Sequence, residues 1–243
     1  VANIPFALLR PADGKILLER ARLGYLPSTS FYRALMQRPL FAEPPRLLAI
    51  GDAVYPEPWG ALPTARAEAW AVSRIFDGST ALVGREATES RFRDAYRGYN
   101  IYHFATHGHL SGVLASTDSA LLLTRGAADD GRLTATEISR LDLSRSHLTV
   151  LSACETAVST SVGSASLGSI SAAFLAAGTP AVIGSQWQVS DDSTAALMMD
   201  FYGSFLDLGA AAALRSAQLA VRRDKRWRHP FFWAAFVLYG WDK

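Results

Sequence analysis

The chain holds a single cysteine, Cys154, at the end of an apolar run that reads Val150-Leu151-Ser152-Ala153-Cys154-Glu155-Thr156. A second run, Tyr102-His103-Phe104-Ala105-Thr106-His107-Gly108-His109, delivers a histidine followed by glycine. A thiol beside an imidazole can ionise at neutral pH, and the thiolate is a strong nucleophile. Gly108 admits close approach by a substrate, and its N–H could stabilise an oxyanion. If both runs are parallel, adjacent strands, His107 and Cys154 emerge side by side. The competing reading is a buried strand cysteine acting as a small hydrophobe.

Other chemistries find less support. His103, His107 and His109 would share a face of an extended strand, which raises a metal site. Zinc would want acids or thiols beside them, and none accompanies them in sequence, so no metal is expected. His103 reads as a core residue and His109 as a loop residue near the site entrance. Glu155 either orients His107 or ties down its own loop. G-x-S-x-G, P-loop and G-x-G-x-x-G patterns are absent, which removes serine hydrolases of that type and nucleotide enzymes and leaves no cofactor expected. One cysteine cannot form an internal disulfide, so the disulfide-rich secreted class is excluded. With 24 basic against 22 acidic residues, the net charge of +2 does not argue for nucleic acid. The run Arg222, Arg223, Lys225, Arg226, Arg228 reads as a solvated helix end.

The elements that must position these residues alternate. Runs rich in β-formers at 47–51, 101–105, 148–152, 181–184 and 232–239 are mostly continuous in apolar residues, as in strands covered on both faces. Between them, 64–76 carries helical spacing, Thr134-Ala135-Thr136-Glu137 is a capping-box pattern, and Ser190 followed by Asp191 and Asp192 opens a helix to about residue 206. The fold class is therefore α/β, with a mainly parallel sheet and helices on both faces. Ligands in such sheets sit beyond the carboxyl ends of the strands. Residues 1–45 read as an extension of the same domain, with 6–9, the turn Pro11-Ala12-Asp13-Gly14 and 15–19 forming a β-hairpin. At 243 residues, one domain covering 1–243 can bury a sizeable core without a staple. No stretch reaches the roughly 20 apolar residues of a membrane span. The start at Val1, without a leader, reads as a piece of a longer protein, soluble and cytoplasmic.

These residues resemble the CHAT domain, the caspase-like module associated with tetratricopeptide repeats, in the clan of caspases, gingipains and separases. The likeness runs in order through Ile4-Pro5-Phe6-Ala7-Leu8-Leu9, Tyr25-Leu26-Pro27-Ser28, the histidine and cysteine runs, Ala173-Phe174-Leu175-Ala176-Ala177-Gly178, Trp187-Gln188-Val189-Ser190-Asp191 and Phe232-Trp233-Ala234-Ala235-Phe236-Val237-Leu238-Tyr239-Gly240. The resemblance implies a caspase-like three-layer sandwich. It makes Cys154 the nucleophile, His107 the general base and acid, and the N–H groups of Cys154 and Gly108 the oxyanion hole. Peptide bonds would be cut through a thioester acyl-enzyme.

The same resemblance has Ser185, Gln186 and Trp187 line the pocket beside the scissile bond, although Trp187 reads equally as core. Asp191 either selects a basic residue before the cut or is a first-turn acid of its helix, the reading preferred for Asp192. The chain departs from the family in 162–168 and at Gln186 and Gln188, where Leu and Pro are usual. The Ser- and Gly-rich run 159–171 reads as a mobile loop near Cys154. Implied partners are a protein substrate and a regulatory repeat region or activator on the N-terminal side, in a larger, bacterial, multidomain protein. The rival function is a catalytically silent scaffold or signalling adaptor.

Overall fold

The computed structural model describes residues 4–37, 43–109, 119–152, 170–187 and 189–241. Its strands are β1 (Leu47–Ala53), β2 (Thr80–Gly84), β3 (Ile101–Ala105), β4 (Gly108–His109), β5 (Ala120–Leu122), β6 (Arg132–Thr134), β7 (Leu148–Leu151), β8 (Ala181–Ser185) and β9 (Phe236–Gly240). The α-helices are α1 (Thr29–Gln37), α2 (Pro63–Val72), α3 (Glu89–Ala95), α4 (Ala135–Ser139), α5 (Ile170–Ala176), α6 (Asp191–Leu208) and α7 (Ala210–Arg223). A six-stranded sheet runs in the order β2-β1-β3-β7-β8-β9. All neighbours in it are parallel except β8 and β9.

Side-chain alternation divides the core into two layers. Leu47, Ala49, Ile101, Val150 and Ile183 face one cluster with Ala69 of α2, Phe201 of α6 and Leu214 of α7. Leu48, Ile50, Tyr102, Phe104, Leu151 and Val182 face the other, with Phe92 of α3, Ile138 of α4 and Phe174 of α5. The continuous apolar runs thus serve two buried faces, and the fold is the α/β three-layer sandwich with helices on both sides.

Local chemistry sets most element ends. Pro63 opens α2, where a missing N–H costs nothing. The helix stops at Val72 rather than Phe76, as Ser73 Oγ turns back to the Trp70 carbonyl and Gly78 follows at positive φ. Thr134 and Glu137 form the reciprocal capping box of α4. Helix α6 starts at Asp191, although the Ser190 side chain makes no capping bond. The last strand is shorter at its start than its apolar run, since Pro230 and the residues after it form a 3-10 turn ahead of Phe236.

The N-terminal segment corrects the expected hairpin. Residues 6–8 and 17–19 are 3-10 turns, not strands. They are tied by Leu17 N–H donating to the Leu9 carbonyl at 2.8 Å. Pro5 and Pro11 cannot donate to a ladder, and Arg215 of α7 takes the Leu18 and Glu19 carbonyls for itself, each at 2.7 Å. A second, three-stranded antiparallel sheet, β4-β5-β6, grows from the end of β3 and was not foreseen in the sequence, whose strands there are two or three residues long.

Gly51 lets α2 lie close on β1. A Cβ there would stand 2.8 Å from both the Ala65 carbonyl oxygen and the Ala69 Cβ. Gly51→Ala is expected to destabilise by about 1–3 kcal/mol through overpacking. The check is a lower denaturant midpoint with an unchanged slope; an unchanged midpoint would mean that α2 slides freely.

Candidate active site

The site grows from the carboxyl ends of β1, β3, β7 and β8. Strand β3 pairs in parallel with β7, with Phe104 opposite Leu151. Ser152 N–H continues the ladder onto the Phe104 carbonyl at 2.8 Å. His107 follows β3, and Gly108 opens β4, both half-buried. Cys154, Glu155, residues 159–169 of the Ser/Gly run and Gln188 lie outside the described residues.

His107 is held by residues that the sequence analysis did not single out. Its Nε2 lies 2.9 Å from the Gly60 carbonyl oxygen. A carbonyl can only accept, so Nε2 carries a hydrogen in the neutral and the charged imidazole alike, and the exchangeable position is Nδ1. The ring packs edge-on to Tyr55, with centroids 4.6 Å apart, and against Trp59 at 5.0 Å. The Tyr55 hydroxyl oxygen accepts the Ala53 N–H at 3.1 Å and also takes the His107 backbone N–H. Burial pushes this phenol far above its ordinary range, so it stays a neutral prop.

Asp52, buried at the end of β1, anchors the loop that carries these groups. It has a positive φ of 44°, rare for a residue with a side chain. Its carboxylate accepts the Leu62 N–H and the Arg66 Nε–H, each at 2.7 Å. One carboxylate thereby closes the loop onto the first turns of α2. The legible signal was Gly51-Asp52 at a strand's carboxyl end, followed by the Pro- and Trp-bearing segment 56–60.

His103 turns away from the site. Fully buried, it has Nε2 3.0 Å from the Glu68 carboxylate and Nδ1 3.2 Å from the Tyr202 hydroxyl. It therefore ties β3 to α2 and α6 as a core residue. His109 meets the edge of Trp59 at 6.4 Å. Among the described residues, no cluster of three or more His, Cys, Asp or Glu could hold a metal ion.

The other expected site residues cluster at the end of β8. Ser185 is buried and pairs with Phe236 of β9. Gln186 is buried, and its N–H donates to the Ala235 carbonyl at 2.9 Å. Trp187 is half-buried against the core and donates Nε1–H to the Phe231 carbonyl at 3.0 Å. Asp191 and Asp192 are exposed in the first turn of α6. The Asp191 carboxyl is held above its ordinary value by desolvation and then by the charges of Glu68 and Asp192. A charged His107 opposes that rise, which puts the two groups within electrostatic reach.

The fold is that of caspase-like proteases. Among solved structures, it is similar to separase in the Saccharomyces cerevisiae separase–securin complex, with a TM-score of 0.63 and 16% identity over 98% of this chain and 15% of that one. It is also similar to the Arg-specific cysteine proteinase gingipain R, with a TM-score of 0.56 and 13% identity over 80% of this chain and 46% of that one. The CHAT domain family model matches residues 1–241, and the chain belongs to that family. Tetratricopeptide repeat protein 28 of Homo sapiens is 30% identical over 98% of the chain, and its Mus musculus counterpart is equally close. The chain spans 11–12% of the length of these two relatives. Among the described residues, no helix is long and apolar enough to cross a membrane.

The raised pKa of Asp191 has a signed consequence. Such a group favours the folded state below the unfolded carboxyl value and loses that contribution as pH rises through the folded value. Asp191→Asn is therefore expected to be as stable as the wild type or more so at pH 7. The gap should close as pH falls below about 3.9, the unperturbed value. Thermal melts across pH 3–8 check this, and a variant less stable at pH 7 would contradict it.

Proposed function

We propose that the domain is a cysteine endopeptidase that cuts a specific protein after a basic residue. The observation that carries the reading is the parallel register of β3 and β7. Phe104 faces Leu151, and His107 and Cys154 each follow three positions later in the chain. His107 Nδ1, free of the Gly60 carbonyl, takes the thiol proton. The thiolate attacks the scissile carbonyl carbon, and the oxyanion is received by the N–H groups of Gly108 and Cys154. Collapse breaks the C–N bond, and the imidazolium returns the proton to the leaving amine. Water, activated by the neutral imidazole, then hydrolyses the thioester and restores the thiol. The chemistry draws on no metal and no organic cofactor.

Substrate choice is assigned to Trp187 and Asp191, with Ser185 and Gln186 buried behind them at the end of β8. The Asp191 carboxylate, raised in pKa yet with no basic partner among the ion pairs of the described residues, suits a guanidinium or ammonium. Selection of this kind works because a carboxylate at a cleft edge gains more from a cation than from a neutral group. Membership of a family whose relatives are named for tetratricopeptide repeats supports a repeat region as a regulatory partner. The reading places the domain in the cytoplasm, where reducing conditions keep a free thiol reduced.

Cys154→Ala and His107→Ala are each expected to abolish cleavage, by at least about 1000-fold, with the melting temperature preserved. Turnover retained in either variant would overturn the assignment. A thiol-alkylating probe separates the protease from a silent scaffold: labelling of Cys154 should be fast in the wild type and slow in His107→Ala. In a peptide library, Arg or Lys should lead at the position before the cut, and Asp191→Ala should erase that lead. A neutral preference untouched by Asp191→Ala would sink the specificity reading.

A further inference from the structure

The N-terminal segment is joined to the end of β8 by side chains that the proposed chemistry does not use. Tyr25 lies along the outer edge of β9, its N–H donating to the Leu238 carbonyl at 2.8 Å and its carbonyl accepting the Gly240 N–H at 2.9 Å. It forms an isolated parallel bridge with Tyr239, and the two rings stand 5.5 Å apart. The Tyr25 hydroxyl donates to the Ile4 carbonyl at 2.7 Å. The Gln186 side chain hydrogen-bonds the hydroxyls of both Tyr25 and Tyr239.

That arrangement has a reason in the pleat. Val182, Gly184 and Gln186 share one face of β8 and its continuation, and Val182 is the register partner of Tyr239. Gly184, with no side chain, sits between them on that face. Gln186 is only 8% exposed, and a buried amide is costly unless bonded. A leucine here would fill space without fixing a direction. An amide gripped by two phenols also fixes the rotation of the chain at this point. The next residue is Trp187, whose indole is anchored to the Phe231 carbonyl.

We infer that Tyr25 and Gln186 are positioning residues that set the Trp187 wall of the substrate cleft from the far edge of the sheet. The inference rests on the protease reading, in which Trp187 walls that cleft. The link orients the wall and leaves the reacting groups alone, so it acts on substrate binding and not on the chemical step.

Tyr25→Phe removes one hydroxyl and keeps the ring contacts with Phe6 and Tyr239. With a peptide substrate, KM should rise about five-fold with kcat unchanged, the loss of one ordinary hydrogen bond. Gln186→Leu should do the same, and the double variant should be no worse than the poorer single one. Hydrogen exchange at the Gln186 and Trp187 amides should quicken about five-fold in both single variants, measured on Cys154→Ala protein so that cleavage plays no part. Unchanged KM and exchange in Tyr25→Phe, or strictly additive losses, would overturn the inference. Quickened exchange in the variants, together with no cleavage by the protein that retains Cys154, would keep the link and refute the protease reading.

Discussion

The architecture of the candidate site depends on one pairing, the parallel ladder between β3 and β7. Parallel strands place both carboxyl ends at the same edge, so the chain segments leaving them are neighbours by construction. The pairing is secured on both sides by fully buried apolar side chains. A one-residue slip would exchange the two faces and drive His103 and Thr149 into the wrong layers. Core packing thereby sets a register that the site exploits. The same ladder explains why His103 and His107, four residues apart, have unrelated roles. One lies within the strand and belongs to the core, while the other lies beyond it and belongs to the edge.

The cost of a polar interior falls on a few groups. Glu68 and His103 are buried together, and stranding either buried polar group without the other costs about 1–3 kcal/mol. The pair joins α2 to β3, while Asp52 joins the end of β1 to the start of α2. Between these two ties lies the loop that presents Tyr55, Trp59 and Gly60 to His107. Positive φ at Asp52 stores strain of about 1–3 kcal/mol, which its buried hydrogen bonds offset. The imidazole is thus oriented by a loop that is itself fixed at two points.

Much of this was legible in the sequence, for identifiable reasons. Two-sided burial writes itself as continuous apolar runs, so β3, β7 and β8 were found nearly to the residue. Reciprocal capping at Thr134 and Glu137 is a local code and was read directly. The N-terminal segment misled because two short runs flanking a Pro-Ala-Asp-Gly turn are compatible with a hairpin without requiring one. Its carbonyls are claimed by Arg215, some two hundred positions later, and no local pattern reports that. The Tyr55–Trp59–Gly60 support for His107 was missed for the same reason. A backbone carbonyl has no residue signature, and an aromatic pair in a proline-bearing loop carries no period.

Gln186 illustrates how a polar residue beside an apolar run acquires meaning only through its neighbours. In sequence it reads only as a polar residue at the end of a buried strand. In the fold its backbone belongs to the β8–β9 ladder and its side chain to two tyrosines from different parts of the chain. Directional hydrogen bonds favour one arrangement, whereas apolar contacts tolerate several. In the proposed protease, a cleft wall that meets a peptide at a defined angle gains from the first kind. The N-terminal turns, which add no strand to the sheet, then have a physical reason to be packed against α7 and β9: they carry Tyr25 to the place where one hydroxyl can hold that wall.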